Sequence, residues 1–338
     1  MDQWAFFDEL KSGTVRNVYC FYGPEAFIRR SALEAIRKKV LMPGLEGMNE
    51  TVLSSPSAQQ IIESCETLPM MSDYRLIIVR DCMLASSGKA KDEAQESALL
   101  CEYLPRVPET TCLVFDLGDG VDKRKKLSQA LMKLPGAVSF DALDDVQLGK
   151  WVNQQLRAFG KRMDKAAVET LAFTSGRDLT LLSGELQKLA AYAGERAEIT
   201  VEDIEQIATH TAECTVFAMV DALSAGKAQE AFRLLGVLLQ SGEQRIGILA
   251  MITRHYRQMT HLSALMRERV PQAQQAKLLG VPPFALGRLS KQAGRRSFEA
   301  LQAQLEACVQ ADYDIKRGVM REEMALDRLM LLLMRGEK

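Results

Sequence analysis

The stretch Val18-Tyr19-Cys20-Phe21-Tyr22-Gly23 is a short apolar run that ends in a glycine, and it decides how the first part of the chain folds. Apolar residues then recur about every 3.6 positions over residues 25–40, which predicts a helix directly after the glycine. A strand, a glycine turn and a helix in this order form the frame of a nucleotide-binding P-loop. The alternative is an ordinary turn between a strand and a helix, capped by Glu25.

The phosphate-binding residues of such a loop are missing. A working P-loop reads G-x-x-x-x-G-K-[ST], because backbone N–H groups, a lysine and a hydroxyl hold the phosphates and magnesium. Counted from Gly23, the second glycine position is occupied by Ile28. Arg29 replaces the lysine and Arg30 replaces the hydroxyl. Pro24 also removes one N–H from the loop. The sequence therefore predicts a degenerate P-loop that does not bind ATP.

Other catalytic features are also missing. An ATPase of this kind needs a pair of acids at the end of a central strand, and here Asp116 is followed by Leu117. No Ser-Arg-Cys motif, nucleophile–base arrangement, paired carboxylates or metal-ligand spacing occurs in the chain. The seven cysteines form no C-x-x-C pair, which favours buried free thiols in a reducing cytoplasm. We expect no catalytic residue, no metal and no cofactor.

The pattern of apolar runs predicts three domains. Residues 1–141 alternate short apolar strands with helices, which is typical of an α/β domain with a parallel sheet between helix layers. From about residue 142 the strands stop, and residues 142–210 read as a small all-α domain. Residues 211–338 read as a second all-α domain. The predicted strands are 17–22, 49–53, 75–80, 111–115 and 137–140. The predicted helices are 25–40, 57–67, 92–104, 122–133, 145–159, 164–174, 178–193, 201–209, 214–224, 227–240, 244–268, 272–279, 283–293, 297–317 and 321–335.

Composition and charge are those of an ordinary globular protein. The chain has 338 residues, of which 47% are hydrophobic and 26% charged, and its formal net charge is −1. It contains no apolar run long enough for a membrane span and no secretion signal, so we expect a cytoplasmic protein. From residue 211 onward there are 18 Lys and Arg against 13 Asp and Glu. A basic C-terminal part is compatible with contact to nucleic acid.

The segment Leu68-Pro69-Met70-Met71-Ser72-Asp73-Tyr74 combines large apolar side chains with residues that favour an exposed loop. Each of Leu68, Met70 and Met71 would gain about 1.5–3 kcal/mol on full burial. Methionine also adapts to shallow pockets on a partner, so the segment is a candidate binding loop. The alternative is that the three side chains cover the edge of the sheet.

Two basic segments are candidate nucleic-acid contacts. Asp122-Lys123-Arg124-Lys125-Lys126 is predicted to open a helix, either as a solvated face or as a contact with DNA backbone or an acidic partner. Near the C-terminus, Tyr313 precedes Lys316 and Arg317, and an aromatic ring beside cations can stack on an unpaired base. The alternative is that Tyr313 continues the apolar stripe of Leu301, Leu305 and Val309 into the core.

Taken together, these stretches resemble the delta subunits of the bacterial DNA polymerase III clamp loader over nearly the whole chain. The order and spacing of the stretches carry the resemblance, in combination with the degenerate P-loop. They are Tyr19–Arg30, Leu68–Arg80, Asp122–Leu127, Gly184–Leu189, Ile199–Asp203, Val216–Leu223, Ser241–Glu243 and Asp314–Gly318. The absence of a zinc module and of Ser-Arg-Cys separates the chain from the related delta-prime and gamma/tau subunits.

The resemblance implies an AAA+-like domain that does not bind ATP, a helical lid and a helical collar that joins the loader pentamer. In this family the first domain is the wrench that opens the sliding clamp, by inserting a hydrophobic plug into a clamp pocket beside the ring interface. By position, that plug is Leu68, Met70 and Met71. The implied partners are the sliding clamp, the gamma/tau and delta-prime subunits, and primed DNA within the assembled loader.

We therefore expect a subunit of the DNA polymerase III holoenzyme, a nucleotidyltransferase, that binds and opens the clamp for processive DNA replication without catalysing a reaction itself. Two other functions remain open from the residues alone. One is a degenerate AAA+ ATPase that still hydrolyses ATP. The other is a DNA-binding adaptor of another replication or repair complex that works through the basic C-terminal part.

Overall fold

The computed structural model describes residues 1–86, 93–281 and 283–335. The chain divides into two compact units, Met1–Val146 and Gln147–Lys338. The end of the first unit lies five residues from the predicted boundary at residue 141. The further division of the second unit at residue 210 stays a prediction.

The first unit alternates strands and helices, as predicted. Its strands are β1 (Val18–Tyr22), β2 (Glu50–Ser54), β3 (Arg75–Arg80), β4 (Thr111–Gly118) and β5 (Ala137–Ser139). Its helices are α1 (Gln3–Lys11), α2 (Ala26–Val40), α3 (Glu46–Asn49), α4 (Ala58–Glu66), α5 (Glu93–Tyr103) and α6 (Lys126–Met132), with a 3-10 turn at Leu104–Arg106. The predicted helix 92–104 corresponds to α5, and residue 92 lies outside the described residues.

The five strands form one parallel sheet in the order β2-β3-β4-β1-β5, which confirms the predicted parallel sheet. Alternate residues of each strand face opposite layers of helices, as the two-residue period of a strand requires. On one face Ile77 and Phe115 pack in a cluster with Ile61 of α4 and Leu127 of α6. On the other face the rings of Tyr19 and Phe21 pack edge-on against Phe6 of α1. The sheet is buried on both faces, which explains its continuous apolar strands.

Helix α6 begins four residues later than predicted, at Lys126. The segment before it forms a turn, in which the backbone N–H of Lys125 donates to the carbonyl of Asp122 at 3.1 Å. The Asp122 carboxylate also accepts from the backbone N–H and the guanidinium of Arg124. These local bonds compete with helical hydrogen bonding, so Asp122 does not start the helix.

The second unit is almost entirely helical. Its helices are α7 (Asp145–Arg157, which begins at the end of the first unit), α8 (Lys165–Ser175), α9 (Leu179–Ala193), α10 (Val201–Ile207), α11 (Ala212–Ser224), α12 (Ala228–Gln240), α13 (Arg245–Arg267), α14 (Gln272–Leu279), α15 (Pro283–Ala293), α16 (Phe298–Lys316) and α17 (Glu322–Arg335). Each predicted helix of this part is found with its ends shifted by no more than two residues. The apolar core of α11–α17 is built around buried residues such as Met219, Ile252, Tyr256 and Leu329.

The expectation that strands stop at residue 142 is wrong in one place. Two-residue strands, β6 (Arg162–Met163) and β7 (Glu198–Ile199), pair in parallel between helices. Strands of two residues are too short to show the alternation that predicts a strand from sequence. The second of them leads into α10, where Thr200 and Asp203 form the capping box.

The stripe predicted on α16 is only half buried. Leu301 is in the core, but Val309 and Tyr313 are 51% and 53% exposed. Each step of four residues overshoots a full helical turn by about 40°, so three steps from Leu301 turn the side chain out of the core. The residues that α16 buries are Leu301, Gln304, Cys308 and Ala311. On α17 Met324 is likewise exposed.

All seven cysteines are free thiols, and six of them are buried. Burial raises the pKa of the Cys112 thiol to about 12, because the charged thiolate loses its hydration. Among the described helices, none is both long and apolar enough to cross a membrane.

Candidate functional site

The P-loop frame lies where β1 runs into α2, and its glycine is required by packing against the chain rather than by a ligand. Gly23 has φ +118°, and a Cβ added there would lie 2.4 Å from the backbone oxygen of Phe140. Its N–H donates to the carbonyl of Gly118 at 2.7 Å. The turn is thus bonded to β4 and held close to the segment after β5. Glu25 occupies the N-cap position without a side-chain capping bond, so of the alternative, an ordinary turn capped by Glu25, only the cap is wrong.

Arg29, at the position of the phosphate-binding lysine, points back into the protein. Its Nε lies 2.7 Å from Oδ1 of Asp116, the one acid within β4. Its Nη1 donates to the carbonyl oxygen of Gly23. Both ion-pair partners are mostly shielded from water, with side-chain exposures of 15% and 17%. The cation and the acid that would hold phosphate and magnesium in an ATPase are therefore paired with each other.

The remaining P-loop positions are equally unsuited to phosphate. Ile28 is 4% exposed and belongs to the core, so the place of the second glycine is filled by a packed side chain. Arg30, at the hydroxyl position, is exposed. This geometry supports the prediction that the degenerate P-loop, with Gly23, Ile28, Arg29 and Arg30, does not bind ATP.

The second predicted site, the loop between α4 and β3, presents a cluster of exposed apolar side chains. We call Leu68, Met70 and Met71 the plug residues; they are 74%, 56% and 84% exposed, respectively. The alternative, in which they cover the edge of the sheet, is therefore wrong. Exposed neighbouring apolar side chains of this size make the loop a candidate surface for binding another molecule.

The plug loop and the P-loop frame lie at opposite ends of the sheet. The loop precedes β3, whereas Gly23 and Asp116 lie at the carboxyl ends of β1 and β4. Within the loop, Met71 has φ +51°, a left-handed conformation that is rare for a residue with a long side chain. The backbone thus turns sharply where the most exposed methionine is placed.

Sequence reasoning missed Asn49, the residue that holds this loop. Asn49 ends α3 and is completely buried, yet its side chain hydrogen-bonds both backbone groups of Met70. The only available signal was a polar residue next to the edge strand β2, which does not by itself indicate a distant partner. The neighbouring Met48 is 55% exposed.

The basic run before α6 is partly used within the protein. Arg124 forms an ion pair with Asp122, whose pKa falls to about 2 because the carboxylate accepts hydrogen bonds from Arg124. Lys125 donates to the carbonyl of Met83 and lies 3.1 Å from Glu93. Two of the four cations therefore have partners close by, which favours a solvated turn over a DNA contact.

Near the C-terminus the structure brings Tyr313 and Arg317 together on the surface. The Arg317 guanidinium carbon lies 5.8 Å from the centre of the Tyr313 ring. Because Tyr313 is exposed, the alternative that placed it in the core is wrong. Lys316 forms an ion pair of 2.7 Å with Asp312. The ring and Arg317 form a small surface onto which a base could stack.

The described residues contain no group of three or more His, Cys, Asp and Glu that could hold a metal ion. His255 is buried and bonded to Gln292 Oε1 at 2.7 Å, and burial lowers its pKa to about 4 because the imidazolium would lose its hydration. His210 and His261 are exposed, and neither lies beside a nucleophile in the contacts that the structure describes.

Comparison with known families accounts for most of the chain. A family model described as "DNA polymerase III, delta subunit" matches residues 19–140. A second, described as the C-terminal domain of that subunit, matches residues 213–333, and a middle-domain model matches residues 147–206. The chain belongs to the family of DNA polymerase III delta subunits. The resemblance drawn from the sequence is thereby confirmed.

Individual relatives agree with the family models. The delta subunit of DNA polymerase III from Bacillus subtilis (strain 168) is 28% identical over 342 residues, covering 100% of this chain and 98% of the relative. The subunit from Escherichia coli (strain K12) is 23% identical, covering 88% of each chain. The solved structure of a Bacillus subtilis DNA clamp loader delta protein aligns with a TM-score of 0.62 at 26% identity, covering 98% of this chain and 99% of that chain. The predicted α/β first part followed by a mostly helical part is confirmed.

Proposed function

We propose that this chain is the subunit of its clamp loader that binds the sliding clamp through the plug residues and opens the ring for loading on primed DNA. The observation that carries the proposal is the exposure of Leu68, Met70 and Met71 on one loop. A clamp pocket that buried these side chains would gain about 1.5–3 kcal/mol for each one. The flexible side chains of the two methionines can adapt to a pocket whose shape changes as the ring opens.

Opening by this route needs no hydrolysis in this chain. A protein that binds the parted interface more tightly than the closed one shifts the ring toward the open state by that difference in affinity. The paired Arg29 and Asp116 fit this role, since the chain then has no phosphate site to occupy. We infer that ATP-dependent control comes from neighbouring gamma/tau and delta-prime subunits, which join through residues 211–338.

The geometry of the degenerate P-loop argues against the hypothesis that the chain is a degenerate ATPase that still hydrolyses ATP. Hydrolysis would require Arg29 to leave Asp116 and a packed Ile28 to leave the core. A nucleotide-binding titration of the isolated chain tests this directly, and saturable ATP binding would revive the ATPase reading.

Contact with primed DNA is a second role that one observation favours. Tyr313 and Arg317 lie together on the surface, and a stacked ring beside a guanidinium suits an unpaired base. We infer that this contact acts within the assembled loader. Its test is primed-DNA binding by the loader at several salt concentrations: Tyr313→Ala should lower the affinity without changing the salt slope, because a stacked ring neutralises no phosphate, whereas Arg317→Ala should also reduce the slope.

The clamp-binding proposal is tested with the purified full chain and its cognate clamp, without nucleotide. The test variant is Leu68→Ala/Met70→Ala/Met71→Ala. A matched control replaces one leucine and two methionines that are also exposed but lie in the second unit, as Leu181→Ala/Met266→Ala/Met324→Ala. We expect the test variant to bind at least about a hundredfold more weakly and the control to bind like the wild type.

Two outcomes would contradict the proposal. If the plug variant binds the clamp like the wild type, the binding surface lies elsewhere on the chain. If the wild-type chain does not bind the clamp at all, the clamp-opening role fails. Ring opening itself is read from a fluorophore pair placed across one clamp interface, whose separation should increase when the wild-type chain is added.

A further inference from the structure

The plug loop is held by a single side chain that comes from a different part of the sequence. The Asn49 side chain donates from Nδ2 to the carbonyl oxygen of Met70 at 2.9 Å. The backbone N–H of Met70 donates to Asn49 Oδ1 at 2.7 Å. The two bonds form a ring between the Asn49 side-chain amide and the backbone N–H and carbonyl of Met70. They therefore fix both the position and the direction of the backbone at Met70.

These bonds are the loop's hydrogen-bonded attachment. Among the described residues, no other hydrogen-bond partner is found for residues 68–74, although the chain on either side is well bonded in α4 and β3. The bonds therefore act on the middle of the exposed segment. Without them, the backbone of residues 68–74 would be restrained only by its two ends and by packing.

Asn49 itself is suited to this role because it is buried and fully bonded. It is 0% exposed, and its second Nδ2 hydrogen reaches the carbonyl of Leu45 at 3.3 Å. A buried amide without partners is unfavourable, since it has lost its bonds to water. The amide is therefore most stable when Met70 is in the observed position.

The residue after the anchor is in a conformation that a free loop would avoid. Met71 has φ +51°, and a non-glycine residue in this region persists only where its surroundings enforce it. The attachment of Met70 immediately before it supplies such a constraint. The result is that Met71 is held outward with 84% of its surface exposed.

We propose that Asn49 is a positioning residue, which sets the plug loop in its binding conformation before the clamp arrives. This inference rests on the proposed function, because it assigns a role in the same clamp-binding site. A loop that is ordered in advance loses less conformational freedom on binding, and its affinity is higher for that reason. Asn49 acts through the backbone of Met70 and has no need to contact the clamp.

The test uses Asn49→Leu, which keeps the branching and the number of side-chain heavy atoms in the buried site and removes both bonds. The chain also offers a close structural match as a control. Asn153 makes the same three kinds of bond: it donates to the carbonyls of Gly149 and Met163 and accepts from the Met163 N–H. Asn153 is only partly buried, so Asn153→Leu controls for loss of the same set of bonds in a part of the chain without plug residues.

We expect Asn49→Leu to weaken clamp binding about tenfold, the size expected for two net hydrogen bonds, and Asn153→Leu to leave it unchanged. A double-mutant cycle with Met71→Ala separates positioning from a general loss of stability. If Asn49 acts by positioning the plug residues, the combined variant should lose less clamp affinity than the product of the fold losses of Asn49→Leu and Met71→Ala predicts. Equal affinities of Asn49→Leu and wild type, or strictly independent effects, would overturn the inference.

Hydrogen exchange in the free wild-type chain gives a reading that does not depend on the clamp or on the folding of a variant. The Met70 amide should exchange more slowly than those of Met71 and Ser72, because it alone is bonded to a buried group. Exchange of all three at the same unprotected rate would contradict the anchor itself. If the triple plug variant binds normally while Met70 is protected, the proposed function fails and the anchor stands.

Discussion

Arg29 and Asp116 form an ion pair of 2.7 Å at the carboxyl end of the sheet, between the first turn of α2 and the end of β4. In a working P-loop protein these positions would face phosphate and magnesium. Here each group is the other's counter-ion, so the pair has become part of the structure.

Removing one partner of this pair is expected to destabilise the protein. Asp116→Asn leaves a mostly shielded guanidinium without its counter-charge, which should cost about 2 kcal/mol. As a control, Glu102→Gln breaks the exposed pair with Arg106, where side-chain exposures are 72% and 65%. Exposed pairs of this kind contribute less than about 1 kcal/mol. Urea unfolding of both variants measures the difference, and equal midpoints would show that the Arg29–Asp116 pair contributes no more than the exposed pair.

Gly23→Ala should be among the most damaging small substitutions in the first unit. The added methyl group would lie 2.4 Å from the Phe140 oxygen, at a backbone angle of φ +118°. We expect a loss of about 3 kcal/mol or more. Gly120→Ala is the matched control, because a Cβ there meets nothing within 4 Å. Thermal unfolding distinguishes the two, and a Gly23→Ala protein as stable as Gly120→Ala would contradict the close approach.

The strain at Met71 predicts an unusual order of stabilities. Glycine adopts a left-handed backbone more easily than alanine does, by about 1 kcal/mol. Met71→Gly should therefore be more stable than Met71→Ala, although glycine normally weakens a folded chain. Both variants lack the exposed side chain and should bind the clamp more weakly. Chemical denaturation ranks them, and a less stable glycine variant would mean that residue 71 relaxes out of the left-handed region.

Acid should destabilise the second unit through His255. Its pKa is lowered to about 4 in the folded chain and is about 6.5 when unfolded, so the unfolded state binds more protons between these values. Stability should be unaffected by His255 above pH 7 and should fall by about 2 kcal/mol from pH 7 to pH 5. Unfolding of wild type and His255→Gln across this range measures the effect.

The wild-type curve should fall more steeply with acid than that of His255→Gln, whose side chain does not titrate. His261→Gln removes an exposed histidine from the same helix, α13, and controls for loss of an imidazole. Parallel curves for wild type and His255→Gln would mean that the buried ring gains its proton without unfolding.

Much of the fold could be predicted because its signals are local. The strands of the sheet are buried on both faces and appear as apolar runs, and the start of α10 at residue 201 was predicted where Thr200 and Asp203 form a capping box. The α16 stripe failed because a four-residue spacing drifts around the helix, which exposed Val309 and Tyr313. The plug residues could be proposed from their own composition. Asn49 could not, because its partner lies 21 positions away and no local pattern records that contact.

The position of the plug loop has a mechanical consequence. The loop is attached to two neighbouring strands, covalently to β3 and through Asn49 to the start of β2, and these strands pair from Glu50–Leu76 to Ser54–Arg80. Strand β3 is in turn bonded to β4 along its whole length, about 17 Å. A force applied to the plug residues is therefore distributed over the backbone hydrogen bonds of two strand pairs, β2–β3 and β3–β4. In the proposed clamp-binding role, a force on the plug residues would therefore act on the sheet of the first unit as a whole.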